Sequence, residues 1–391
     1  MAHGRTLTPT VSFFDRYNTS LGELVGWVDL SASWKWNKPG TAVVVTPDLP
    51  DIWPDLAKCR TQTVLAAIDS RISWTGRVTD VEVRVDRDKG TRTMEVTMVD
   101  DWAVLAALMA RQNPLGELAN QAAAEFDVRE GPAETVVKAI LQDVVDRLDL
   151  PMLIQPPPDP DPSPVVRVEA RMDPLDKLIP PLLEAASLGL FIHFHRRGGH
   201  LPPELSDLEG PESEGKWIVE VLPSRNEAHL AWDEAELVKG SLTLSAPGAP
   251  YLVIGGEGEG QEKTYSYAEN AALAASLGPY RLREDYLDDA DGTKVVETLR
   301  ELQGGASVAF SVDDGVPWVA GEDFRIGDFG GGTIGGVDFR ARIDEIELAA
   351  DDSGEARFTP KIGQAIPPPE VQVARAVARI AADLAAEKRR R

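Results

Sequence analysis

The sequence predicts a mainly β protein of the α+β class, with antiparallel β-modules towards both ends, an α-rich middle and a C-terminal helix. Three observations carry this. Val81, Val83 and Val85 alternate with polar residues into Asp86-Arg87-Asp88-Lys89-Gly90, and Met94, Val96 and Met98 return with the same period of two. Phe339, Ala341 and Ile343 repeat the pattern near the other end, followed by Ala356, Phe358 and Ile362. Between the two, Val136, Val137, Ile140, Leu141, Val144 and Leu148 recur at helical spacing.

The first region, residues 1–104, is expected to be mostly β. Residues 24–30 and 42–45 read as strands around Trp34-Lys35-Trp36-Asn37-Lys38-Pro39-Gly40, whose Pro-Gly marks a turn. Its tryptophans, Trp27, Trp34, Trp36, Trp53 and Trp74, are expected to fill a β-core rather than to form a ligand platform. Asp100-Asp101-Trp102 then opens a helix, with one aspartate as N-cap and Trp102, Leu105, Leu108 and Met109 on an apolar stripe. Adjacent side chains diverge, so the paired carboxylates favour capping over acid/base chemistry.

Residues 105–200 form the α-rich region. The helix at 133–148 ends near Pro151, the proline-rich stretch 156–164 is a stiff extended connector, and a second helix over 175–188 is kinked at Pro180-Pro181. Its exit becomes a strand carrying His193 and His195 on one face, with His200 after the turn. These histidines are the best metal candidates in the chain, but zinc needs three or four ligands and no Glu or Cys stands beside them at helical spacing. An exposed strand face meeting water is the expectation, with no bound metal.

Residues 201–241 read as a β connector and 242–365 as a second β-module. Strands flank Pro247-Gly248. Gly255-Gly256-Glu257-Gly258-Glu259-Gly260 imitates a phosphate loop, but its two carboxylates would repel a phosphate, so it is expected to be a turn. Helices are expected at 268–277 and 295–303. From Phe324 an antiparallel meander begins, with a β-bulge between Ile343 and Ile346, where the alternation slips phase, and a turn at Asp351-Asp352-Ser353-Gly354. After Pro367-Pro368-Pro369 the stretch 371–391 reads as a helix with Val373, Val377, Ile380 and Leu384 on one face. Too short to stand alone, it is expected to self-bundle or dock on a partner, and its end, Lys388-Arg389-Arg390-Arg391, suits the helix dipole.

Composition bounds function. With 391 residues, 43% hydrophobic and 27% charged, two or more folded domains are expected. No apolar run reaches the roughly 18–20 residues of a membrane span, and the first nine residues lack a signal-peptide core. The single cysteine, Cys59, excludes an internal disulfide and reads as a small buried hydrophobe. A net charge of −24 and a pI near 4.6 oppose a surface that wraps nucleic acid. No Gly-x-Ser-x-Gly, HExxH, Walker or CxxC motif is present, so no catalytic residue and no cofactor is expected.

A series of short signatures runs collinearly along almost the whole chain. It comprises Trp36-Asn37-Lys38-Pro39-Gly40, Trp74-Thr75-Gly76-Arg77-Val78-Thr79-Asp80-Val81, Asp100-Asp101-Trp102 and Gly131-Pro132-Ala133-Glu134-Thr135-Val136. It continues with residues 171–175, Gly189-Leu190, Asn226, Leu242-Thr243, the acidic glycine loop, Phe324-Arg325-Ile326-Gly327-Asp328 and Ile362-Gly363. In this order they resemble the siphovirus minor tail proteins that serve as baseplate hub, or tail-associated protein, at the tail tip of phages of actinobacteria. Gln261-Glu262-Lys263 stands where relatives have an arginine, and residues 371–391 match no part of the family.

The resemblance implies two tail-tube-like antiparallel β-barrel domains per chain with the α-rich region at the periphery, and a homotrimer that mimics a six-fold ring. Its partners would be the distal tail protein ring, the tape measure protein and other tip proteins. Three copies carry −72, three times −24, which suits a channel that DNA passes without adhering. Two other classes stand beside this structural role: a cell-wall hydrolase, for which scattered carboxylates speak, and an adhesin binding host glycan through tryptophans.

Overall fold

In the computed structural model, which describes residues 8–362 apart from 89, 200, 202, 233–236, 246–248, 257, 259–261, 278–283, 289–297, 299–304 and 313–317, the chain is mainly β. The expected C-terminal helix, the proline linker, the turn at Pro247-Gly248, His200 and, save Thr298, the helix at 295–303 lie outside the described residues. The chain opens with β1 (Thr10–Asp15), β2 (Ser20–Leu24), β3 (Asp29–Lys35), β4 (Thr41–Thr46), the single turn α1 (Trp53–Leu56), β5 (Val64–Asp69), β6 (Trp74–Asp86) and β7 (Thr91–Asp100). These strands pair antiparallel in the order β2-β1-β5-β6-β7-β4-β3.

Alternation sets the buried face: Met94, Val96 and Met98 of β7 are buried, as are Ala42 and Val44 of β4 and Leu30 and Ala32 of β3. The β6–β7 hairpin leaves the core towards its tip, where Val85 is 71% exposed. The pattern predicts a buried face along the whole hairpin, but β4 pairs with β7 only as far as Met94, so the outer rungs have a single neighbour. Cys59 is half-buried rather than buried, and that burial pushes its thiol pKa up.

The α-helix expected at Asp100-Asp101 is instead a 3-10 helix, Asp101–Ala107, in which neither aspartate caps through its side chain. Trp102, Leu105 and Leu108 are buried, but Met109 is 46% exposed. Then come β8 (Met109–Ala110), β9 (Asp127–Pro132), α2 (Ala133–Leu148), β10 (Met152–Ile154), β11 (Val165–Ala170), β12 (Asp173–Pro174), α3 (Leu175–Ala185), β13 (Leu188–Phe194) and β14 (Trp217–Pro223). Val137, Ile140 and Val144 of α2 share a core with Ile179 and Leu183 of α3 and with Val219 and Val221 of β14. Both prolines lie inside α3, which ends at Ala185 rather than 188, because Ser187 adopts φ +55 and turns the chain into β13.

The proline-rich connector does more than span. Its Asp161 accepts hydrogen bonds from the Thr135 N–H (2.9 Å) and hydroxyl (2.7 Å), and Ser163 Oγ accepts from the Glu134 N–H (3.1 Å), satisfying the free N-terminus of α2. Burial works against its charge, yet these hydrogen bonds outweigh it and hold the Asp161 pKa below its usual value. Asp161→Ala is expected to cost about 1 kcal/mol, as loss of an N-cap does. Urea denaturation measures it, and an unchanged midpoint contradicts the cap.

The remaining elements are β15 (Asn226–Trp232), β16 (Leu237–Ser245), β17 (Tyr251–Gly255), β18 (Tyr265–Glu269), α4 (Ala271–Leu277), β19 (Glu284–Asp288), β20 (Gly305–Val312), β21 (Phe329–Ile334), β22 (Val337–Asp351) and β23 (Ala356–Ile362). The range expected as one module, 242–365, is divided. Met1–Lys239 and Ser311–Ile362 form one compact unit, and Gly240–Phe310 belongs to another. In the first unit β22 pairs antiparallel with β21, β23 and β3, Leu348 lying opposite Ala32, so strands from both ends of the chain share one sheet. A register shift between Ile343 and Glu345 is the bulge the sequence predicts. In the second unit β17 lies between β18, antiparallel, and β19, parallel.

Candidate functional site

Three of the sequence signatures, at 36–40, 189–190 and 324–328, meet in the first unit at one buried junction around Trp36. Asn37 turns the chain with φ +50 and anchors it to β13, its amide donating to Leu188 O (2.9 Å) while its Oδ1 accepts the Leu190 N–H (3.0 Å). This brings Gly189 onto the indole: a Cβ there would stand 2.2 Å from Trp36 Cη2. Gly327, at φ +90, lies against the same ring, with its would-be Cβ 1.8 Å from Cζ3. Glycine is therefore required at both positions. Phe191 meets the indole edge-on at 6.1 Å and the Arg342 guanidinium lies 5.2 Å from its centre.

Asp328 locks the second glycine in place. The residue is fully buried, and Arg225 grips it side-on, Nε to Oδ1 at 2.9 Å and Nη2 to Oδ2 at 2.5 Å. The Arg325 N–H donates to Oδ2 (2.9 Å), and the Asp328 carbonyl accepts the Ile343 N–H (2.8 Å). A turn of six residues is thereby tied to the β14–β15 connection and to β22.

Asp101 organises the other side. Its Oδ2 accepts from the Thr75 hydroxyl (2.5 Å) and the Phe194 N–H (2.9 Å), and its Oδ1 from Trp217 Nε1 (2.9 Å). Four elements are joined by one carboxylate, which explains why it does not cap. His193 Nδ1 lies 3.1 Å from Thr75 Oγ1, while His195 holds Ser213 Oγ at 2.8 Å and Gly199 O at 3.1 Å. The expectation that these two histidines lie on a wet strand face is overturned: they are 7% and 2% exposed. Strand alternation put them on one side but could not say that Thr75 and Ser213 cover it.

A cavity of about 110 Å³ opens beside this network, lined among others by Trp34, Thr75, Asp100, Phe191, His193 and Arg325. Apart from the guanidinium groups of Arg71 and Arg325, the titratable groups that line it are held neutral near pH 7. Burial, with Arg196 and His195 nearby, pushes the His193 pKa down to about 3. Burial pushes Asp100 up from 3.8 to about 8, despite a 2.6 Å hydrogen bond from the Gly40 N–H, and its Oδ1 has no partner among the described residues. The Asp101–Thr75–His193 order is also the wrong one for nucleophilic catalysis, since the carboxylate holds the hydroxyl rather than orienting the imidazole. Among the described residues no group of three His, Cys, Asp or Glu is placed to hold a metal ion.

These shifts have opposite consequences for stability. Folded His193 binds its proton more weakly than in the unfolded chain, so its contribution is lost as pH falls from 6.5 towards 3. Folded Asp100 binds its proton more tightly, so stability falls as pH rises from 3.8 to about 8. Of the two, only the Asp100 effect operates between 6.5 and 8. The protein is expected to lose on the order of 1 kcal/mol per pH unit across that window, and Asp100→Asn to reduce the slope. Chemical denaturation as a function of pH decides it, and parallel curves for the two proteins would contradict it.

The family model described as Siphovirus ReqiPepy6 Gp37-like protein matches residues 10–364. The chain belongs to this family of phage tail proteins. No curated protein matches its sequence. By structure, the Gp37-like chain is similar to the prophage MuSo2 43 kDa tail protein from Shewanella oneidensis, at 12% identity and TM-score 0.54 over 90% of this chain and 96% of that one. It is also similar to the prophage tail protein gp18 from Listeria monocytogenes EGD-e, at 10% identity and TM-score 0.52 over 95% and 99%. The tail protein from Neisseria meningitidis MC58 gives 11% and 0.52 over 91% and 96%. At such identities the likeness is one of fold. The junction around Trp36 is thus where a Gp37-like chain joins its early and late strands.

Proposed function

We propose that three copies of this phage tail protein form the baseplate hub at the tail tip, joining the distal tail ring to the tip and lining the channel through which DNA leaves. One observation carries the reading: β3 and β22 pair edge to edge, so the strands of residues 10–100 and those of 329–362 stand side by side within one chain. Each group is assigned to a tail-tube-like barrel, and three chains then present six such groups. The first barrel takes residues 1–104, the peripheral region 105–200 and the connector 201–241. The second barrel falls within 242–365, of which residues 242–310 belong to the separate 240–310 unit. Residues 366–391 are left for contacts with neighbouring copies or tip proteins. The charge of −24 per chain keeps phosphate from adhering along such a channel.

The fold of the prophage tail proteins supports this reading. The tryptophan adhesin is not favoured, because none of the nine tryptophans is exposed; Trp36, Trp74, Trp102 and Trp232 are buried and the rest half-buried. Light scattering of the purified chain, with cryo-microscopy of intact virions, tests the proposal. A trimer with pseudo-six-fold density at the tail tip is expected. A monomer at virion-like concentration, density elsewhere on the particle, or tight salt-sensitive binding of duplex DNA counts against it.

A further inference from the structure

The 240–310 unit turns an aromatic face outward that its own core does not use. Leu252 and Ile254 of β17 are buried, so the alternate positions of the three-stranded sheet lie on the opposite face. Strand register sets Tyr267 and Tyr286 on either side of Val253, with Tyr265 one rung further along. These three rings are 63% (Tyr265), 54% (Tyr267) and 51% (Tyr286) exposed. Tyr251 stacks on Tyr267, with centroids 5.6 Å apart and planes at 22°. Gly255 leaves room for the Tyr286 hydroxyl, which would stand 2.2 Å from a Cβ there.

The charges around this face select the ligand. Lys263 Nζ lies 2.8 Å from both carboxylate oxygens of Asp288, so that cation is already engaged and that carboxylate neutralised. At the other end Glu269 and Glu284 flank Tyr251, where they repel anions and accept hydrogen bonds. Rungs repeat about every 7 Å along a strand. Flat rings at that interval offer apolar surface to the C–H faces of successive sugars, while the phenol and carboxylate oxygens meet their hydroxyls.

We propose that this tyrosine face binds a neutral, hydroxyl-rich polysaccharide chain. The proposal does not rest on the hub assembly. The test is affinity electrophoresis of the full-length chain in native gels containing dextran, mannan, galactomannan or arabinogalactan, with polylysine and heparin as charged probes. At least one neutral polysaccharide is expected to retard the chain, with little effect of added salt. Tyr265→Ala, Tyr267→Ala and Tyr286→Ala combined are expected to weaken that binding about 100-fold. The three Tyr→Phe replacements, which keep the rings, should retain most of it. Thermal melting of each variant separates lost binding from lost fold. Retardation by none of the neutral polymers overturns the proposal, as does salt-sensitive retardation by polylysine alone, which identifies a docking face for a basic protein segment. Equal retardation of the folded triple alanine variant and the parent also overturns it.

Discussion

Asp328→Ala is expected to destabilise the chain by about 2–3 kcal/mol, the cost of taking a buried carboxylate acceptor away from its charge-assisted donors. The carboxylate is fully buried, and its removal takes the acceptor from the Arg325 N–H and from two donors of the half-exposed Arg225, which keeps Glu227 nearby. The loss should reach beyond the turn, because the same residue holds Ile343 through its carbonyl and so fixes where β22 begins its bulge. Asp328→Asn, which keeps the shape but not the charge, is expected to cost less. Urea denaturation of the three proteins decides the matter, and a loss below about 1 kcal/mol for Asp328→Ala would show that the pair contributes little net stability.

Gly327→Ala is the second large effect. The added methyl would stand 1.8 Å from Trp36 Cζ3, and the backbone at φ +90 strains any L side chain, so both space and conformation oppose it. A loss above about 3 kcal/mol is expected from overpacking a rigid ring slot with strain added. The steric part can be separated. Trp36→Leu alone costs on the order of 3 kcal/mol as a large-to-small change, but combined with Gly327→Ala it should cost less than the sum, because the methyl then has room. Strict additivity in that double-mutant cycle would refute the account of the slot.

What the sequence disclosed and what it withheld follow one division. Met94, Val96 and Met98 announce a strand and its buried face, and Val137, Ile140 and Val144 announce α2, because period alone determines which side meets the core. Period does not name the partner. The alternation at 343–350 is as compatible with a hairpin standing alone as with the β3 pairing that the structure has. Asp101 was legible as a cap because local rules favour it, yet its partners Thr75 and Trp217 lie 26 and 116 residues away and win the competition. The glycines at 189 and 327 were visible as signatures, but nothing local says that one indole lies against both. Tyr265 and Tyr267 stand two apart and so share a face, but only the strand beside them, with Leu252 and Ile254 inward, shows that face to be the outer one.

The pairing of β3 with β22 also dictates an order of assembly during synthesis. Asp29 pairs with Asp351, so the outer edge of β3 stays unpaired until nearly the whole described chain has emerged. An open strand edge is a template for any other strand that reaches it, and closing so long a loop is slow. An N-terminal fragment ending near residue 104 therefore carries a complete hydrophobic pattern and an incomplete sheet, and aggregation rather than independent folding is its expected fate.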